Sequence, residues 1–340
     1  MVKKVLISLV IGIFVVVFGY GGYYVYSVIK FAHDIGNNDS ALHDQEKNLL
    51  AQNPDTYIPE EPPEWTGTER VNILLLGGDA RGVSQNEAPR SDTIMVASID
   101  PNTKQAYLFS ILRDTWSEIP GHYKTRVNAA LALGGPKLAM ETVGNLLGID
   151  IQYYVFVDFQ GFIDLINAIG GIEFEVEKDM YYHDPTDPEY TIDLKKGWQV
   201  LDGDKALQYV RFRYDRMGDY TRTERQRELL SAVANKITSM ESLFTLPSTL
   251  NKIKDDVTTN IPSDKMLSLA RLAYESSKQG IVTEQLPPMH LLSEQNIDGA
   301  DVIVVNVHAL HNYVEELFNR KPEQQLPDAA DASNEENQAA

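Results

Sequence analysis

The chain of 340 residues contains no cysteine. That excludes disulfides, thiol nucleophiles and cysteine-ligated zinc or iron–sulfur sites. Positive charge is scarce: 30 lysines and arginines stand against 49 aspartates and glutamates, for a formal net charge of -19. Duplex binding needs a broad basic face, so nucleic acid is not expected as a partner. The glycines of GGDARG (77–82) lack the Gly-Lys-Ser/Thr ending of a nucleotide P-loop, which argues against ATP. There is no Gly-x-Ser-x-Gly elbow or other serine-nucleophile signature.

What is present begins with an uncharged run over 5–29, preceded by Lys3 and Lys4 and followed by Lys30. As a helix, about 25 residues at ~1.5 Å each cover ~37 Å, enough to cross ~30 Å of hydrocarbon with some tilt. Tyr20, Tyr23, Tyr24 and Tyr26 form an interfacial aromatic belt, and no small-residue cleavage site follows. The expected layout is a cytoplasmic tail (1–4), a transmembrane signal anchor (5–29) and a polar, proline-containing stalk (30–69). An extracytoplasmic domain (70–320) and a disordered acidic tail (321–340) follow.

From 71 onward the pattern is globular. VNILLLG (71–77), TIMVASI (93–99) and QAYLFSI (105–111) read as strands, the last two joined by a hairpin-length turn over 100–104. A helix is expected over 136–148, stopped by Gly148. A β–α–β unit is expected over 154–176, an irregular stretch over 183–200, a helix over 204–209 and another from 262 to about 278. The last strand is expected over 301–307. This mixture predicts a three-layer α-β-α domain with a mixed central sheet.

Six of the thirteen arginines fall between Arg211 and Arg227, in YVRFRYDRMGDYTRTERQRELL (209–230). Like charges so crowded repel unless carboxylates or a bound anion compensate them. Arginine points to planar, bidentate recognition of phosphate or carboxylate. Arg211 and Arg213 alternate along a segment expected to be extended, so both would share a face. Thr221 and Thr223 each fit a capping box, which would place Arg225 and Arg227 in a first helical turn, where a bound phosphate would be favourable. Arg216 and Arg227 read as surface ion pairs; Arg211, Arg213, Arg222 and Arg225 read as an anion site. The hairpin brings a second set to one sheet edge: Asp79, Arg81, Arg90, Asp92, Arg113 and Asp114. One Mg²⁺ on Asp79 and Asp92 plus phosphate oxygens, or simple pairing of these acids with the arginines, both fit that spacing. His308 and His311, three apart on an expected helix, read as a solvated face rather than a metal pair, and His183 carries no signal.

In this order GGDAR, RSDTI, SILRDT, KTRVNAALALGG, LDGDKALQYVRFR and GDYTRTERQRELL closely resemble the LytR-CpsA-Psr family of bacterial cell-envelope proteins, over about 71–240. The resemblance implies a membrane-anchored phosphotransferase with a three-layer α/β domain outside the membrane. Its donor would be a glycopolymer on a polyprenyl pyrophosphate (wall teichoic acid, capsule or similar) and its acceptor a peptidoglycan hydroxyl. By motif, Asp79 and Asp92 would hold Mg²⁺. Arg90, Arg113, Arg211, Arg213 and Arg222 would clamp the pyrophosphate, with Arg225 and Gln226 beside them; Asp79, Asp92, Arg113 and Arg213 would be catalytic. Leu112 replaces the family's usual proline, and Thr221 replaces a common glycine. Two other readings are a polyprenyl-pyrophosphate hydrolase and a non-enzymatic envelope binding or regulatory protein.

Overall fold

The computed structural model describes residues 26–35, 57–78, 91–183, 191–214, 218–237 and 248–320. Three apolar strands lie side by side at its centre, β1 (Val71–Gly78), β2 (Ser91–Ile99) and β3 (Ala106–Ile111), with β2 antiparallel to both of its neighbours. The β2–β3 hairpin forms as expected, with Ile99 opposite Ala106. Its turn is closed by the Asp100 carboxylate, which accepts from the Asn102 and Thr103 amides at 2.8 and 3.2 Å. A short ribbon, β4 (Trp116–Ser117) with β5 (Thr125–Arg126), follows and leads into helix α1 (Ala129–Leu147). α1 is broken at Gly134-Gly135, where Gly135 has φ +73°, and Pro136 restarts it. The expected helix is the second half, and Gly148 ends it at φ +71° with its amide on the Gly144 carbonyl.

β6 (Tyr153–Asp158) lies parallel to β1 and leads into α2 (Phe159–Ala168), whose N-cap Asp158 accepts from the Gly161 amide. The expected β–α–β unit does not close. Gly170 and Gly171, both at positive φ, turn the chain away, and β7 (Ile172–Val176) leaves the main sheet. The stretch expected to be irregular contains β8 (Met180–His183), β9 (Thr191–Leu194) and β10 (Gly197–Leu201). β8 pairs with β9, and β10 pairs antiparallel with β7. Helices α3 (Gly203–Arg211) and α4 (Asp219–Ile237) pack on these ribbons around Ile166, Met180, Ile192, Tyr209 and Leu229.

β11 (Val257–Thr259), α5 (Ser263–Ser277) and β12 (Ile281–Leu286) complete the main sheet, whose order is β11-β6-β1-β2-β3-β12. Leu74, Val96 and Phe109 pack on one face against α1 and α6 (Val307–Asn319); Val71, Ile99 and Ala106 pack on the other against Leu269 and Leu272 of α5. Helices thus cover both faces of a mixed sheet. The expected last strand is shorter, as β14 (Ala300–Val305), because Asn306 caps α6 through the Ala309 amide; it pairs with β13 (Leu292–Ile297) and bridges to Thr115 through Ile303.

No helix among the described residues is long and apolar enough to cross a membrane. The expected anchor falls almost wholly outside the described residues, as do the tails at 1–4 and 321–340. At Gly148 an added Cβ would sit 2.7 Å from the His311 ring as well as in the left-handed region. Gly148→Ala should therefore destabilise the domain by about 1–2 kcal/mol in urea unfolding, with an unchanged m-value.

Candidate functional site

Strand directions dictate where the polar residues meet. β1 and β6 end, and β2 begins, at one edge, because Gly78 lies opposite both Asp158 and Ser91. β3 and its parallel neighbour β12 end there too, with Ile111 opposite Leu286. Such strand ends are where open α/β sheets place ligands. The segment leaving β3 is held by its backbone. The Leu112 amide donates to the Leu286 carbonyl at 3.1 Å, and the Asn128 amide donates to the Arg113 carbonyl at 3.2 Å. Leu112 is fully buried and supplies an N–H that proline lacks, so the departure from the family pattern tightens this corner.

Arg113 is the hub. Its Nη1 donates to Asp92 Oδ1 at 2.6 Å, and its Nε lies 3.6 Å from Asp114 and 3.7 Å from Asp219. Asp114 also meets Arg126 at 3.3 Å, and Arg222 Nη2 approaches Asp219 Oδ1 to 2.5 Å. Arg222 is only 5 % exposed. These close ion pairs are poorly aligned as hydrogen bonds. Among the described residues both Asp219 oxygens, Arg222 Nε and Nη2 and Arg113 Nε are buried without a hydrogen-bond partner. Buried donors of this kind normally find an acceptor. Burial lowers the pKa of Arg222 and raises that of Asp219, against the pull of Arg222 and Arg113. For Arg113 burial works downward, but Asp219, Asp114 and Asp92 outweigh it and raise the pKa. Arg213 is exposed, and its charge acts on both Asp219 and Arg222, so it borders the same cluster.

The rest of the arginine segment departs from expectation. Arg211 does not alternate with Arg213 along a strand: it is the last residue of α3, and Phe212 is the extended C-cap. Its guanidinium lies 4.8 Å from the Phe159 ring centroid, beside the end of β6. α4 begins at Asp219 rather than after a threonine cap. The Thr221 and Thr223 hydroxyls instead donate to the Gly218 and Tyr220 carbonyls, at 3.1 and 2.9 Å. The arginine in the first turn is Arg222, and the same turn supplies its counter-charge, Asp219. Arg225, 3 % exposed, turns from the edge towards Glu177 and the Phe212 carbonyl. The Gln226 amide donates to the Val210 carbonyl at 3.4 Å, and Arg227 bonds Ser110 on β3. Asp79, Arg81, Arg90 and Arg216 lie outside the described residues. His311 bonds the Asn145 carbonyl.

A magnesium ion suits the described part of this edge. Asp92 opens β2 with a carboxylate 40 % exposed, and Arg113 engages one of its oxygens. Mg²⁺ is commonly held by one or two carboxylates plus water and phosphate oxygens. It therefore does not need the three-ligand cluster that is absent among the described residues.

The LytR_cpsA_psr family profile matches residues 25–319. The chain belongs to this family. A relative from Enterococcus faecalis, polyisoprenyl-teichoic acid–peptidoglycan teichoic acid transferase TagU, is 36% identical over 254 residues, 74% of this chain and 80% of that protein. The regulatory protein MsrR of Staphylococcus aureus is 36% identical over 195 residues, 57% of each chain. Among solved structures, the LytR-CPS2A-psr family protein YwtF (TagT) of Bacillus subtilis with bound octaprenyl pyrophosphate lipid superposes with a TM-score of 0.58 at 26% identity. That match covers 78% of this chain and 95% of that one.

Within the LytR-CpsA-Psr frame, Asp219 is the site residue that the sequence analysis does not single out. The available signal was its position three residues before Arg222, on the same helical face. Replacing Arg113 by alanine would leave Asp92, Asp114 and Asp219 without their shared cation, at a cost of about 2 kcal/mol at pH 7. The raised Arg113 pKa keeps its charge throughout the accessible range, so the pH dependence comes from the acids. The deficit should shrink as pH falls to about 4, because burial raises the Asp219 pKa and its protonation removes the charge that Arg113 compensates. Urea unfolding of both proteins at pH 7 and pH 4 measures this; an equal deficit at both would contradict the hub.

Proposed function

We propose that the chain is a membrane-anchored phosphotransferase of the bacterial envelope. It moves a glycopolymer phosphate, wall teichoic acid or a related polymer, from a polyprenyl-pyrophosphate carrier to a peptidoglycan hydroxyl. The observation that carries this reading is the buried, unaligned Arg222 beside Arg113 and Arg213 at the strand-end edge, an arrangement that offers unspent donors to an anion. The teichoic acid transferase named among the relatives, and the octaprenyl pyrophosphate bound to a protein of the same fold, support the choice of that anion.

Phosphoryl-type transfer asks mainly for positioning and charge neutralisation. Arg113, Arg213 and Arg222 hold the pyrophosphate oxygens, with Arg90 and Arg211 from the flanking segments. The acceptor hydroxyl oxygen attacks the phosphorus that carries the polymer, and the bond from that phosphorus to the bridging oxygen breaks. Polyprenyl phosphate then leaves with the electron pair, its charge met by the guanidinium groups. The acceptor proton passes to a carboxylate, Asp79 or Asp92. The same two carboxylates would hold Mg²⁺, which supplies further neutralisation of the pyrophosphate when bound.

The test incubates the full chain in detergent with a polyprenyl-pyrophosphate-linked sugar, peptidoglycan oligomers and Mg²⁺, with the products read by mass spectrometry. A sugar phosphate joined to the oligomer, with release of polyprenyl phosphate, is the expected product. EDTA should stop the reaction and added Mg²⁺ should restore it. Arg222→Ala should slow it at least about a hundredfold. Free sugar phosphate without conjugate would mean a hydrolase, and donor binding without turnover would mean a binding module; either result overturns the proposal.

A further inference from the structure

One arginine of the cluster bonds towards the protein interior. Arg225 Nη1 donates to the Phe212 carbonyl at 3.0 Å, and its guanidinium carbon lies 5.2 Å from the centroid of the Phe212 ring. Its Nε donates to Glu177 Oε1 at 2.8 Å. Glu177 lies just past β7, and its other oxygen, Oε2, accepts from the Tyr209 hydroxyl at 3.2 Å. That hydroxyl also lies 3.2 Å from Glu228 of α4. Phe212 is the residue between Arg211 and Arg213.

The last carbonyls of a helix have no partner within it. At the end of α3 the Val210 and Phe212 carbonyls, on either side of Arg211, both receive side-chain donors from α4, namely Gln226 and Arg225. Phe212 leaves the helix at φ -64° and ψ 126°. That change of direction sets where Arg211 and Arg213 diverge, and a buried cation fixes it. Lysine could not replace this cation: its single ammonium cannot hold Glu177 with one nitrogen and the Phe212 carbonyl with another in a rigid fork while stacking on the ring.

We infer that Arg225, oriented by Glu177, is a positioning residue that fixes the α3 terminus and so aims Arg211 and Arg213 at the anion. The inference rests on the pyrophosphate reading of the edge. It also has a sign that simple electrostatics does not share. Glu177 carries a negative charge, so by Coulomb's law removing it should strengthen anion binding or leave it unchanged. If its role is to hold Arg225, removing it should weaken binding.

The experiment uses isothermal titration of the full chain in detergent with geranylgeranyl pyrophosphate and Mg²⁺, at a temperature where circular dichroism shows every variant folded. Glu177→Ala should bind about tenfold more weakly, and Glu177→Gln, which keeps an acceptor, should fall in between. Arg225→Lys should be weakened by about the same factor. The double variant Glu177→Ala/Arg225→Lys should be no worse than Arg225→Lys alone, because the pair acts as a unit. Arg113→Ala is the control for the site itself. If Arg113→Ala loses affinity while Glu177→Ala binds equally or more tightly, the positioning role is refuted and the site stands. If Arg113→Ala binds normally, the site reading fails and this inference with it. Additive losses in the double variant would also overturn it. Glu177 is half-exposed, so its replacements test the idea even if Arg225→Lys does not fold.

Discussion

Everything at the sheet edge depends on one charge arrangement: a buried carboxylate, Asp219, held between Arg113 and Arg222. Guanidinium groups brought this close in a partly desolvated place repel by several kcal/mol at intermediate dielectric. Asp219 offsets that repulsion, so the edge can form without a ligand. It also opposes any anion that enters, by the same law. A site compensated this way trades tight binding for a stable empty state and for release of a charged product. The trade suits a transferase whose leaving group is itself a phosphate.

The hub reaches its place through backbone rather than side-chain packing. Leu112 carries a donor that the more usual proline would forfeit, and that donor ties β3 to β12 one residue before Arg113. The Asn128 amide then grips the Arg113 carbonyl, and the Asp114 carbonyl accepts from the Ile303 amide of β14. The guanidinium is thus delivered by three elements distant in sequence. This is why the corner could accept a leucine without losing its geometry.

The central hairpin was legible because two apolar runs flank a turn of fixed length, and strand direction then forces Asp92 and Arg113 together. Its edge partner β12 was not. IVTEQL alternates weakly, and its pairing with β3 depends on a helix that intervenes. The strands β8, β9 and β10, and the pairing of β7 with β10 in place of the main sheet, were not legible for a similar reason: each strand is short, and its partner is supplied by another stretch of chain. The end of α3 was misread because Arg-Phe-Arg after a helix looks the same whether the helix stops before or after its first arginine. Only the two carbonyls capped from α4 decide it.

Charge composition alone could show that the arginine segment needs a counter-ion but could not say which arginines face it. Arg222, Arg225 and Arg227 are all nearly hidden or half-hidden on one helix, and each meets a different fate. Arg222 ends beside a carboxylate with its donors unaligned, Arg225 holds a neighbouring helix end, and Arg227 reaches Ser110 on the sheet. Helical periodicity separates Arg227 from the other two, while Arg222 and Arg225, only about 60° apart, are separated by the partners they meet. Steps of three and then two residues turn the side chain through about 300° and then 200°, so the three cannot share a face. A dense arginine motif on a helix is therefore as much a device for joining that helix to its surroundings as a device for binding phosphate.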